Sequence, residues 1–354
     1  MSFWSEGPFA PPLRQPPVGF TIGRASAWRF PTAGLGAVSG FHEWAHFCVA
    51  SPKVHLIVNI SLAADPAEGG ARVIVLVHTA TEGVWHGVVE PFHGHEVELW
   101  PGRLDSRFGP NELRAAGQKL RLRIAPRSGT MSASLELVAE SRPISKLNAS
   151  IPSGEMSWLA VPRMSAAGWL RIGATSIDLA EALAYHDHNW GRWRWGADFG
   201  WNWGFVFPAD RKLPWVLVLE RLTNRARTED SGLRVYLWRG EHLERVFREE
   251  EASLCSSGLL RPASVPKFPP VMGLLVPEAS TDVPATIEVL ANTAHDRLRA
   301  RLKALTVAQV LVPSTAAEGV TIINEILVSA RVDGLIGCDE VHFDGTGVFE
   351  HLSS

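Results

Sequence analysis

The sequence predicts an all-β protein of antiparallel sheets arranged in two halves. Three observations carry that expectation. Short β-branched or alternating runs recur along the chain, Gly, Pro and Asp punctuate them at hairpin spacing, and helical periodicity is almost absent. Sequential short strands pair antiparallel, because parallel pairing needs crossover connections of a dozen or more residues. At 354 residues the chain suits two domains, expected at 1–190 and 191–354, and its 46% hydrophobic, 20% charged composition can fill a core in each.

Residues 1–40 are rich in Pro and Gly and read as an extended arm with one edge strand. Strand runs follow at Val54–Leu62, Arg72–Ala80, His95–Trp100, Lys119–Ile124 and Ser134–Glu140. The second half repeats the style at Phe205–Phe207, Pro214–Leu222, Leu233–Arg239, Thr286–Asn292, Asp296–Leu305 and Val320–Val332. Asp296–Leu305 also fits a helical stripe, but Leu298, Ala300, Leu302 and Ala304 alternate with Arg297, Arg299, Arg301 and Lys303, which favours a strand with four cations on one face. That face reads as solvated, with an anion-binding or membrane-touching strip as the alternative. Arg261–Pro284 holds six prolines and reads as a long loop or lid. Ile177–Ala184 is the best candidate for a short helix.

A net charge of −3 gives no global field to attract nucleic acid, and no apolar run reaches the length that spans a bilayer. The N-terminal segment lacks the basic start and apolar stretch of a secretory signal, so a cytoplasmic protein is expected, with transient membrane-surface contact as a further option. Cys48, Cys255 and Cys338 are too few and too scattered for a disulfide framework or a zinc knuckle. No glycine-rich nucleotide loop and no Gly-x-Ser-x-Gly elbow occurs.

There are 14 tryptophans but only two tyrosines, and six of the tryptophans fall between Trp190 and Trp215. Titratable groups concentrate in the same place. If Tyr185–Trp190 is extended, His186, His188 and Trp190 face one way and Tyr185, Asp187 and Asn189 the other. His-x-His is a metal-ligand spacing, yet further ligands such as His342 or Glu220 would be needed, and no second compact cluster appears, so no metal and no organic cofactor is expected. Acid–base work on an apolar substrate is the stronger reading. A carboxyl walled by indoles loses hydration and holds its proton near neutrality, and indole faces stabilise carbon cations. Glu43, with His42 and His46, offers a second acid–base group, while His93 and His95 read as an exposed loop.

Tyr185-His186-Asp187-His188-Asn189-Trp190-Gly191, followed by a Trp-rich strand, resembles the signature of the carotenoid 1,2-hydratase and hydroxyneurosporene synthase family. Its lipocalin-like relatives include cofactor-free cyclases and Diels-Alderases. Glu43-Trp44 with Phe47 resembles the family's Glu-Trp-Trp element, although Ala45 and His46 depart from its aromatics. Gly345-Thr-Gly-Val-Phe-Glu350 resembles its Gly-x-Gly-x-x-Glu close. The resemblance implies two lipocalin-like domains and a hydrophobic cavity at or near their junction.

The combined expectation is an enzyme that hydrates or cyclises a lipophilic polyene or terpenoid by protonating a carbon–carbon double bond. Asp187 would donate the proton, and His186 and His188 would relay it and activate water. Trp190, Trp201 and Trp203 would form walls, with Tyr185, Asn189, Glu43 and Trp44 completing the binding surface. A pericyclic cyclase and a carrier of an apolar ligand are the alternatives.

Overall fold

The structure, a computed structural model, describes residues 13–14, 21–30, 40–64, 70–151, 154–193, 200–224, 227–228, 230–262, 264–276, 282–314 and 319–353. The chain divides between Trp193 and Arg194 into two compact units. Both are antiparallel β-sheet, as the punctuation of the sequence predicts. No helix among the described residues is long and apolar enough to cross a membrane.

The N-terminal unit contains α1 (Ile22–Ala25) and strands β1 (Phe41–Ala50), β2 (Val54–Ala63), β3 (Ala71–Thr79), β4 (Val84–Phe92), β5 (Val97–Leu99), β6 (Ser106–Phe108), β7 (Asn111–Ala116), β8 (Lys119–Ile124), β9 (Met131–Ala139), β10 (Ile144–Ile151), β11 (Gly154–Ile172), β12 (Thr175–Asp178) and β13 (Ala182–Arg192). In the sheet β4, β3, β2 and β1 run in order to β13, then β11, β9 and β8 back to β5. Strand β13, which carries the Tyr185–Trp190 block, is therefore central, between β1 and β11.

Period-2 alternation decides the faces. In β8, Leu120, Leu122 and Ile124 are buried while Lys119, Arg121 and Arg123 are exposed. The inward side chains of β1, β2, β3, β8, β9 and β13 make one core, and Ile22 and Trp28 pack into it. The segment carrying them is pinned by Ile22 N to Gly117 O at 3.1 Å and by the Trp28 indole to Leu104 O at 2.9 Å. Gly23 is required there, because a Cβ would lie 2.6 Å from Ala115 Cβ.

The C-terminal unit contains β14 (Gly200–Pro208), β15 (Trp215–Thr223), β16 (Asp230–Arg239), β17 (His242–Phe247), β18 (Ala252–Leu259), β19 (Lys267–Phe268), α2 (Pro270–Leu275), β20 (Pro284–Asn292), β21 (Arg297–Ser314), β22 (Gly319–Ile336) and β23 (Asp339–Ser353). Its sheet runs from β17 through β16 and β15 to β14, then β23, β22, β21, β20 and β18. A second core, including Val206, Leu219, Val235, Ile326 and Phe349, fills its inner side. Asp296–Leu305 is a strand as predicted: Leu298, Ala300, Leu302 and Ala304 are buried and the four cations are exposed. Glu288, opposite Arg301, accepts from Arg299 at 2.9 Å, which makes this a solvated face of surface ion pairs.

Two expectations are corrected. Ile177–Ala184 is not a helix but the β12–β13 connection, where Leu179 and the strand residues after it are drawn into the core. Arg261–Pro284 is not wholly loop: it holds β19, in parallel register with Gln309 and Val310, and α2, whose Met272 packs beside Leu311 and Ile322. The expected arm at residues 1–40 lies largely outside the described residues, as does Trp195.

Candidate functional site

β-Branching and alternation do not explain β13, whose residues are polar; its position does. Residues Ala182–Gly191 are all buried, so each polar side chain must find partners on its own face. Gly191 lets β11 pass, since a Cβ would meet Glu155 O at 2.1 Å and its φ is +151°.

On the inner face the histidines form a closed chain of hydrogen bonds. His186 Nδ1 lies 3.0 Å from His46 O, so it carries a proton and leaves Nε2 as an acceptor. Ser26 Oγ donates to that Nε2 at 2.9 Å. His188 Nδ1 donates toward Ser26 O at 2.8 Å and lies 2.9 Å from Ser26 Oγ, while its Nε2 sits 2.9 Å from Glu43 Oε1. One proton lies between that nitrogen and the carboxyl. Both Glu43 oxygens also accept the Arg29 main-chain N–H, at 2.8 and 3.1 Å. Aromatic rings enclose the chain: Phe47 stacks on His186 at 4.5 Å, Trp28 meets His188 edge-on at 5.1 Å, and the Arg29 guanidinium lies 3.7 Å over Trp190. Burial pushes His186 down to about 3, so it is neutral.

Asp187 belongs to the other wall. Strand register places it between His46 of β1 and Ala160 of β11, with Asn59 beyond His46. Asn189 donates to Asp187 Oδ1 at 2.9 Å and stands between Trp44 and Trp158 in the next row. Asp187 is 4% exposed and Tyr185, on the same face, is fully buried. His46 bonds Asn59 at 3.3 Å, and burial pushes it down to about 4. The predicted site residues are thus separated by the pleat. His186, His188, Trp190 and Glu43 meet on the inner face; Tyr185, Asp187, Asn189 and Trp44 share the outer one. The imidazole beside Asp187 is His46, not His186 or His188.

Trp201 and Trp203 lie on β14 in the C-terminal unit, both largely buried on the face turned away from its core. The Trp201 indole donates to Glu350. Nothing in the sequence singles out Ser26, a lone serine in an irregular segment. Glu350 enters the sequence reading only through the Gly-x-Gly-x-x-Glu close. Glu325 is detectable as one acid inside the apolar run of β22. Among the described residues no group of three or more His, Cys, Asp or Glu is placed to hold a metal ion.

No protein-family model matches the chain, and no curated protein matches it in sequence. Solved structures do match. An AttH assignment from Nitrosomonas europaea superposes with a TM-score of 0.62 at 15% identity, over 92% of this chain and 97% of that one. Kievitone hydratase from Nectria haematococca gives 0.59 at 12%, over 96% and 98%. CghA with Sch210972 gives 0.58 at 11%, also over 96% and 98%. The fold is theirs. It is the two-domain lipocalin-like β-architecture that the Tyr185–Gly191 block implies.

Proposed function

We propose that the protein is an enzyme that adds water or an internal nucleophile across a carbon–carbon double bond of a lipophilic polyene or terpenoid, without an organic cofactor. The observation that carries the reading is Asp187: a nearly dry carboxyl on a tryptophan-bearing wall, oriented by Asn189 and set beside a neutral imidazole. Likeness to a hydratase fold supports the same reaction class.

In this scheme the Asp187 carboxylic proton goes to one alkene carbon and the resulting cation takes a water oxygen or an internal nucleophile at the other. The proton released by that nucleophile returns to the carboxylate. Asn189 fixes the carboxyl, Trp44 and Trp158 exclude water, and His186 and His188 hold the strand from behind.

The test offers a panel of acyclic terpenoids, including lycopene, to the full chain in D2O. Turnover should place one solvent deuterium on carbon, and Asp187→Asn should lower the rate by ~10² or more while leaving binding intact. A product without solvent hydrogen on carbon indicates a pericyclic cyclase, and binding without turnover indicates a carrier.

A further inference from the structure

The outward face of the C-terminal sheet carries a row of chemically unlike side chains that the proposed function does not use. Register places Glu325 of β22 opposite Glu350 of β23, Glu350 opposite Trp203 of β14, Trp203 opposite Glu220 of β15, and Glu220 opposite Arg234 of β16. All five alternate with core residues (Ile326, Phe349, Val206, Leu219 and Val235), so they share the face turned from the core.

The two halves of this row differ. Glu220 is neutralised, accepting Arg234 at 3.0 Å and the Tyr236 hydroxyl at 2.7 Å. Among the described residues Glu350 is bonded by the Trp201 indole and by Glu325, which is itself 4% exposed, and no cation contributes to its titration. Glu325 is buried and Glu350 half-buried, and two carboxyls directly opposite in an antiparallel pair repel when both are ionised, which favours one shared proton. On the same face, four residues along β16 from Arg234, the fully buried indole N–H of Trp238 has no hydrogen-bond partner among the described residues.

We infer that Glu350, paired with Glu325 and walled by Trp201 and Trp203, is a second general acid that can protonate an alkene carbon of a lipophilic substrate. The inference rests on the proposed reaction class. The Glu350 O–H bond breaks as the carbon–hydrogen bond forms, and the pair becomes briefly dianionic beside the cationic carbon and the face of Trp203. Water or an internal nucleophile then bonds to that carbon, and the proton it sheds restores the shared one. Burial holds the Glu350 carboxyl up at about 7, against the lowering effect of its bonds to Trp201 and Glu325. Across Trp203 the row continues to the paired Glu220 and Arg234, and the Arg227 guanidinium bonds the main-chain oxygens of Trp201, at 3.2 Å, and Leu352.

Infrared titration of the intact protein tests this without a known substrate, with turnover of the terpenoid panel as the second readout. Wild type should show a protonated-carboxyl stretch that disappears as pH rises through neutrality, absent in Glu350→Gln and retained in Asp187→Asn. Glu325→Gln should move its midpoint to lower pH, since the like charge is gone. Glu350→Gln should also lower turnover by ~10² or more. If the band survives Glu350→Gln, or that variant turns over at the wild-type rate while Asp187→Asn is impaired, the inference fails and the proposed function stands. A wild-type product without solvent hydrogen overturns the reaction class itself.

Discussion

Glu43 in the N-terminal unit and Glu350 in the C-terminal unit are both carboxyls on central strands among tryptophans, and they are provided for in opposite ways. Glu43 receives the Arg29 N–H on both oxygens and His188 on one, and His188 and His186 are tied off in turn by Ser26 and by main-chain carbonyls. Every link in that chain ends on protein. Glu350 is given one indole N–H and a second carboxyl. Burial alone therefore does not mark an acid for chemistry; the partners that share its proton do. The inner chain fastens the Ser26–Arg29 segment to β1 and β13, whereas in the inference drawn above Glu350 keeps a proton it can part with.

The largest effect that would break this contrast is at Glu43. Glu43→Ala removes one member of a fully buried pair, and loss of one partner typically costs about 3–5 kcal/mol. Urea unfolding should show that loss, with turnover per folded molecule unchanged. A stable variant that had lost turnover would make Glu43, not Glu350, the reactive acid.

Acid should separate the two units next. His46 and His186 are held down to about 4 and 3, and His55 to about 4, each chiefly by burial. A histidine lowered below its unfolded value near 6.5 adds stability that is present above that pH and lost as pH falls toward the folded value, about 1.4 kcal/mol for each pH unit that separates the two values. In the C-terminal unit burial holds His351 down to about 3, but Glu350 has the opposite sign, binding its proton more tightly when folded between pH 4.5 and 7. Hydrogen exchange should therefore show β1, β2 and β13 losing protection before β14, β22 and β23 as pH falls from 6.5 to 4. Simultaneous loss would mean that the units do not differ in this way.

Much of this is legible in the sequence, and the pleat explains what is not. Alternation in Lys119–Ile124 and Arg297–Lys303 is strict, so strand, face and exposure follow directly. The same rule divides Tyr185–Trp190 into two walls, but it cannot say which wall holds a neighbouring strand's acid. That depends on register with β1, which puts Ala45 opposite His188 and His46 opposite Asp187. Proximity along the chain points to Asp187 as the indole-walled acid, since it is the carboxyl just before the tryptophans. Trp201 instead bonds a carboxyl 149 residues away, a pairing no local pattern encodes. Ile177–Ala184 shows the converse, where good helix formers yield to the pull of Leu179, Ala182 and Ala184 into the core.

The smallest test is also the most discriminating for the inner chain, because Ser26 is its one member without a charge to lose. Its hydroxyl donates to His186 Nε2 and lies 2.9 Å from His188 Nδ1, whose proton already has Ser26 O as an acceptor. Ser26→Ala removes one good hydrogen bond and leaves His186 Nε2 buried without a donor, a loss of about 1–3 kcal/mol. His186 is neutral and buried, so it cannot recover that energy by charging at pH 7. If the chain is a fastener, thermal unfolding should register this modest loss, and turnover and its pH profile per folded molecule should stay as in wild type. If Ser26 instead conducts a proton between His188 and His186 during the reaction, the rate should fall far more than stability does, and a solvent isotope effect should change with it. That result would move the reactive centre to the inner face of β13 and reverse the contrast between Glu43 and Glu350.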